Sequence, residues 1–142
     1  MPIDPTLSDA VRAFLAGLRF ASVATVDEDG QPRQTVVWYR LLPDDRILLN
    51  GRSPRRWCAN LDRTRKVAIS VIDQEDGYRW VGLTGVVDSI STDVQEARED
   101  IVDLANRYHD NNADPNLVAA FRTQPRITYI VRITGIHDHL ED

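Results

Sequence analysis

The sequence is poor in the residues that most often carry catalytic or metal chemistry. Its 142 positions hold one cysteine (Cys58), three histidines and one lysine (Lys66). A single cysteine excludes an internal disulfide framework and a four-cysteine zinc site. Long apolar runs are also missing. The longest uncharged stretches are strand-sized pieces such as Val67–Ile72, far short of the ~18 residues of a membrane span. No basic region precedes an apolar stretch near the N-terminus. No secretory signal is therefore expected, and a reducing cytoplasm is the expected compartment. There is no Gly-x-Ser-x-Gly elbow, no Gly-rich phosphate loop with its Lys and no dinucleotide fingerprint. What remains, 42% apolar and 27% charged, is ordinary globular composition and excludes global disorder, collagen and coiled coil. One domain over residues 1–142 is expected at this length.

Charge is unevenly placed. The net charge is −5, yet Arg52–Lys66 carries six of the 17 basic residues against one acid, Asp62. An acidic chain with one concentrated basic segment is not built to bind nucleic acid along a broad face. It suits one compact anion such as a phosphate. Sixteen of the 17 basic residues are arginine, the side chain suited to bidentate phosphate contacts. A general arginine bias explains that ratio but not the clustering.

Hydrophobic spacing divides the chain. Leu7, Val11, Phe14, Leu15 and Leu18 recur at helical spacing, so the pattern predicts a helix over 7–17, capped by Thr6 or Ser8. Strands are expected over 20–26, 33–42 and 46–50, joined at Asp27–Gly30 and Pro43–Asp45 into an antiparallel meander. Ser53 and Pro54 read as cap and first position of a short helix over 54–61. Further strands are expected over 66–72, 78–90, with bends at Gly82 and Gly85, and 127–136. A surface helix over 92–108, capped by Thr92 or Asp93, and a helical turn over 117–121 complete the pattern. Six strands with a few short helices point to a mainly β, α+β domain, a small barrel over about 20–136 with helices packed outside.

Arg52, Arg55 and Arg56 flank the start of the short helix. Cations there oppose the positive end of the helix dipole, so an anion is expected to compensate. The alternative is a solvated face paired with surface carboxylates. His137 and His139, two apart on a strand, share a face, but no third ligand accompanies them and no metal site is expected. Cys58 lies beside arginines that would lower its pKa, and a buried bystander role is the simpler reading. The acids of the two turns are not a catalytic pair. Trp38, Tyr39, Trp57, Tyr78 and Trp80 either pack the core or wall a planar ligand.

The order of these pieces carries a resemblance. A hairpin, Phe20–Pro32, leads into Thr35-Val-Val-Trp-Tyr. Arg52-Ser-Pro-Arg-Arg-Trp-Cys-Ala-Asn-Leu follows, then Asp76-Gly-Tyr-Arg-Trp-Val-Gly. Over about residues 7–136 this resembles the pyridoxamine-phosphate-oxidase-like superfamily, and most of all its branch that uses the deazaflavin F420. The resemblance implies a six-stranded antiparallel split β-barrel of the FMN-binding type. It also implies a homodimer with cofactor sites at the subunit interface. The cofactor ring would lie along Thr35, Val36, Val37 and Trp38. Its phosphate would meet the segment before Asn60, with Arg55 and Arg56 at phosphate-binding positions and Asn50, Arg52 and Ser53 beside them. Tyr78, Arg79 and Trp80 match a Tyr-Arg-aromatic stretch of the branch. Both branches commonly place a Lys where this chain has Trp57, so Arg52, Arg55 and Arg56 are left to supply the charge. Cys58 and Leu61 form the natural inward stripe of the short helix. Trp57, ~100° away from Cys58, is expected to wall the cofactor channel and to stay out of its own subunit's core; the rival readings are that it plugs the site against the cofactor or simply packs the core.

The implied activity is F420-dependent hydride transfer to or from a small unsaturated or quinone-like substrate. An FMN enzyme and a non-enzymatic flavin- or deazaflavin-binding protein are the alternatives. No residue set supplies a nucleophile or acid–base pair, as suits a reaction whose chemistry the cofactor carries. A proton would come from solvent, Tyr39 or Tyr78.

Overall fold

The computed structural model describes residues 3–141; residues 1, 2 and 142 of the expected domain lie outside the described residues. The described chain folds as a mainly β, α+β structure. One curled antiparallel sheet forms a half-barrel of seven strands, not six. The strands are β1 (Ala21–Val26), β2 (Pro32–Val37), β3 (Tyr39–Leu41), β4 (Ile47–Arg52), β5 (Lys66–Ile72), β6 (Trp80–Ile90) and β7 (Arg126–His139). Their order across the sheet is β2-β1-β5-β6-β7-β4-β3. Four helices accompany them: α1 (Asp9–Ala16), α2 (Arg56–Thr64), α3 (Val94–Tyr108) and α4 (Pro115–Phe121).

The extra strand arises where the expected 33–42 strand breaks at Trp38. β2 pairs with β1 and β3 with β4, at opposite edges of the sheet. One residue separates them, so the edges approach to roughly 7 Å, two Cα steps. The sheet must therefore curl. The break is held from outside the run. The Tyr39 N–H donates to the Tyr108 hydroxyl at 3.1 Å, and that hydroxyl donates to the Arg19 carbonyl at 2.5 Å. The Tyr108 ring stacks on Trp38, with centroids 5.3 Å apart and planes 17° apart. A side chain from α3 thus takes the place of a ladder partner, which no local pattern announces.

Burial alternates along the sheet as a one-sided strand requires: along β5, Val67, Ile69 and Val71 are buried while Ala68, Ser70 and Ile72 are exposed. The main core lies inside the curl, from Leu15, Val23, Tyr39, Leu49, Val71 and Val81 to Tyr129 and Val131. A second cluster, Ile101, Leu104, Ala105 and Phe121 with Trp38 packed against it, joins α3 and α4 to the mouth of the barrel. Ser8 caps α1 through Val11 N–H, and Asp93 caps α3 through Gln95 and Glu96 N–H. Gly85 sits at a register shift of β6–β7, whereas Gly82 pairs regularly with His137. A Cβ at Gly82 would meet the Trp80 ring at 2.9 Å, so close ring approach explains that glycine. No described helix is long and apolar enough to cross a membrane.

Tyr108→Phe keeps the ring stack but strands the Tyr39 N–H. Loss of a part-buried partner costs about 1–3 kcal/mol. A lowered urea midpoint at unchanged m-value is the expected result; equal midpoints would show that the hydroxyl does not hold the crossing.

Candidate functional site

The crossing delivers Val36, Val37 and Trp38 to one wall of a groove of about 250 Å³. Asn50, Gly51, Arg55 and Trp57 line it from β4 and α2, Ile101, Leu104 and Phe121 from α3 and α4, and Arg126 from the start of β7. β4 and β7 are in register here, with Asn50 opposite Thr128, Gly51 opposite Ile127 and Arg52 opposite Arg126.

α2 begins two residues later than its sequence suggests. Arg55, not Ser53, occupies the cap position, and no side chain caps the helix. The Ser53 N–H instead donates to the Pro125 carbonyl at 2.8 Å, tying this loop to the start of β7. α2 seats tightly because position 51 is glycine. A Cβ there would meet Cys58 Sγ at 2.2 Å and the Trp57 ring at 2.7 Å. Trp57 is only 7% exposed and belongs to the core, its ring tilted against Tyr129 at 5.9 Å. The expectation that it would stay out of its own core is therefore corrected. α2 is docked closely enough to bury Trp57 beside Cys58 and Leu61, while the groove still reaches the ring.

Asn50 is buried. Its Nδ2 donates to the Ala97 carbonyl at 2.9 Å and to Thr128 Oγ1 at 3.0 Å, and Thr128 Oγ1 donates to Asp100 at 2.7 Å. Its Oδ1 has no hydrogen-bond partner. A buried acceptor left unpaired costs free energy unless a ligand donates to it.

The arginines divide between two environments. Among the described residues, Arg52, Arg55 and Arg126 have no carboxylate within ion-pair distance. Arg126 donates to Gln124 Oε1 at 2.9 and 2.7 Å and lies 4.7 Å from the centre of the Phe121 ring. Burial, and then the charges of Arg55 and Arg52, pull its pKa down to about 10. Arg56 lies in the other environment. It faces Asp27 at 3.7 Å in a separate cleft lined by Asp27, Glu28, Asp29, Arg33, Asn60 and Arg63. Asn60 Nδ2 donates to Thr25 Oγ1 at 3.1 Å and Asp27 at 3.0 Å, and Arg33 donates to Asp27 at 2.6 Å. The hydrogen bonds from Asn60 and Arg33 hold the Asp27 carboxyl below its ordinary range. Charges in that cleft cancel within the chain, whereas those of the groove do not.

Other candidates lie elsewhere within this chain. Thr35 sits half-buried on β2, and Ser53 in the loop, neither lining the groove. Tyr78 is 77% exposed. Arg79 pairs with Asp73 at 3.2 Å, and Trp80 stacks on His137 and His139 at 4.7 and 5.6 Å. Tyr39 is fully buried, donates to the Leu15 carbonyl at 2.7 Å, and burial pushes its pKa up, so it offers no proton to a ligand. Cys58 is 1% exposed and pushed up to about 11 by burial, the inert form of the residue. Arg126, Phe20, Ile101, Leu104 and Phe121 were not candidates on sequence. Arg126 reads there as one scattered arginine at the start of a strand, and only its register with Arg52 marks it.

A curled antiparallel half-barrel with an anion-ready groove beside α2 defines the split-barrel class. Residues 7–133 match the family model described as pyridoxamine 5'-phosphate oxidase, and the chain belongs to that family. No curated protein matches it. Among solved structures, an F420 reductase superposes with a TM-score of 0.78 at 24% identity, covering 92% of this chain and 98% of the other. A conserved hypothetical protein of Mycobacterium tuberculosis gives 0.74 at 25% identity, covering 96% and 88%. HupZ of Group A Streptococcus gives 0.67 at 17% identity, covering 96% of each.

The Asp27 network predicts a pH response. A carboxylate with a lowered folded pKa contributes stability above its unfolded value, and that contribution is lost as pH falls through the folded one. Melting temperature should therefore fall below about pH 4, a loss shared with Asp44, Asp45 and Asp73. Asp27→Asn should show a lower neutral plateau and a shallower acid limb. Parallel acid limbs would remove Asp27 from the account.

Proposed function

We propose that the protein is an oxidoreductase that binds a phosphate-bearing flavin or deazaflavin, F420 or in the alternative FMN, in the groove between β4, α2 and β7. It would transfer a hydride between that cofactor and a small unsaturated or quinone-like substrate. The observation that carries the reading is the union, in one groove, of an apolar aromatic wall, uncompensated guanidiniums and an orphaned buried acceptor. The F420 reductase among the similar structures supports the choice of cofactor.

These residues fit such a group. Arg55 and Arg126 would hold the phosphate by charge-assisted hydrogen bonds, with Arg52 adding to the local potential. Val36, Val37 and Trp38 would lie along the ring and keep water from one face. Asn50 would accept from a hydroxyl of the chain between ring and phosphate. The cofactor, when bound, supplies the hydride chemistry, and the protein positions the reacting atoms. The described groove has no residue that holds a transferable proton, so solvent is the proton source this reading assigns.

About 250 Å³ is below the ~300–1,000 Å³ of typical ligand pockets. A tricyclic cofactor therefore needs a further wall. A homodimer with the site at the interface supplies one, and it gives the exposed Tyr78, with Arg79 and Trp80, a place at the partner's groove. The second reading, a non-enzymatic carrier of the same cofactor, rests on Trp57, which stands where the resemblance would place a Lys.

Titrations of F420 and FMN followed by fluorescence test the cofactor. Loss of one charge-assisted contact, about 1.5–3 kcal/mol, predicts at least about tenfold weaker binding for Arg55→Ala. Arg46→Ala, whose side chain pairs with Asp44 in a turn, should bind as the parent does. Arg98 is no neutral control, because it donates to the Gln124 carbonyl beside Arg126. Binding of neither cofactor would reject the reading. Binding without turnover of a quinone acceptor would favour the carrier. Sedimentation as a monomer at micromolar concentration would reject the shared site.

A further inference from the structure

Strand pairing places Arg52 directly opposite Arg126. Like charges at directly opposed positions destabilise a sheet. Arg55 adds a third guanidinium close enough to lower the pKa of Arg126 further. No carboxylate relieves this group among the described residues, although the chain has 22 acidic residues. The contacts that hold Arg126, one amide oxygen of Gln124 and the face of Phe121, orient it without neutralising it. Arg55, which lines the groove, stands at the N-terminus of the nine-residue helix α2, where no side chain caps the helix. Independently, Asn50 is buried to 95%, lines the same groove and leaves Oδ1 unpartnered. A carbonyl oxygen repels a bare anion. It is satisfied only by a ligand that brings an O–H or N–H.

We propose that Arg126 supplies the anion-binding charge of the groove, and that Asn50 Oδ1 makes the groove select a phosphate ester carrying a neighbouring hydroxyl over an anion without a donor. This deepens the cofactor reading and rests on it for the identity of the natural ligand, while its own chemistry is tested with simpler probes. Arg126 and Asn50 then act as specificity residues, one for charge and one for the donor beside it. The repulsion of Arg126 by Arg52 and Arg55 opposes the hold that Gln124 and Phe121 have on it, and no counter-charge among the described residues offsets that repulsion.

The experiment measures melting temperature and calorimetric affinity with sulfate, which carries no O–H at neutral pH, and with ribose 5-phosphate, for the parent, Arg126→Met and Arg126→Gln. The glutamine variant keeps an amide donor for Gln124 should the methionine variant fold poorly. The parent should bind ribose 5-phosphate several-fold more tightly than sulfate. Both variants should melt at or above the parent temperature without ligand and bind ribose 5-phosphate at least tenfold more weakly. Variants that melt lower yet bind as the parent does would make Arg126 structural and overturn the proposal. Equal parent affinities for the two probes would overturn the role of Asn50. If F420 or FMN binds equally well to the parent and to the Arg126 variants, the proposal fails and the cofactor reading stands. If ribose 5-phosphate binds through Arg126 but neither cofactor binds, the cofactor reading fails and the selectivity stands.

Discussion

One residue, Trp38, lies between two strands that sit at opposite edges of the same sheet. The chain cannot stretch across an open sheet of seven strands in that distance, so the sheet has to curl until its edges meet. Most of the functional geometry follows from that closure. It brings β2 to the side of β4, and it turns Val36, Val37 and Trp38 toward the residues at the end of β4. It also fixes where the helical layer sits. Tyr108 completes the hydrogen bonding of the crossing and stacks on Trp38, and Phe121 meets the same indole edge-on. The second apolar cluster is thus attached to the barrel at the point where the barrel closes.

Helix α2 divides the arginines of one short segment into two groups that behave oppositely. On one side Arg56 and Arg33 meet Asp27, and Arg63 binds Asn60 and the Val26 carbonyl. These contacts tie α2 to the β1–β2 turn. On the other side Arg55 shares a groove with Arg126, beside Arg52, without a counter-charge. Groups held without partners in the empty protein are a reservoir that a ligand can relieve, and proteins accept such local cost where binding requires it. The same logic covers Asn50, whose amide nitrogen is satisfied twice while its oxygen is left open.

Trp57 shows how one side chain of the short helix reaches into the fold. The indole is accommodated by Gly51, and its ring packs on Tyr129, which in turn bonds to the Cys58 carbonyl and to Asp62. The position has become part of the core that seats α2 while keeping an edge on the groove. Relatives of this fold as different by name as an F420 reductase and HupZ share the scaffold at low identity. Chemistry on such a scaffold is decided by the groove and not by the barrel.

The local pattern was enough for much of this. The mostly apolar run Val67–Ile72, the helical spacing from Leu7 to Leu15, and the caps at Ser8 and Asp93, each one of two neighbouring candidates, are encoded within a few positions of each other, and the elements form there. Burial along Val67–Ile72 alternates, although its apolar residues do not. The clustering of Arg52, Arg55 and Arg56 was equally visible, as a concentration of charge. What sequence could not decide was which charges stay unpaired and which partners complete an element. Arg126 is remote in sequence from the cluster it joins, and Tyr108 is 69 positions from the backbone it supports. Ser53 has every local mark of a helix cap but is drawn to Pro125 instead. Trp57 looked peripheral on a helical projection and is buried because Gly51 lets the helix close on β4. Periodicity and capping are short-range and act through neighbouring side chains. Register, close approach and charge compensation are set only when strands distant in sequence are brought edge to edge.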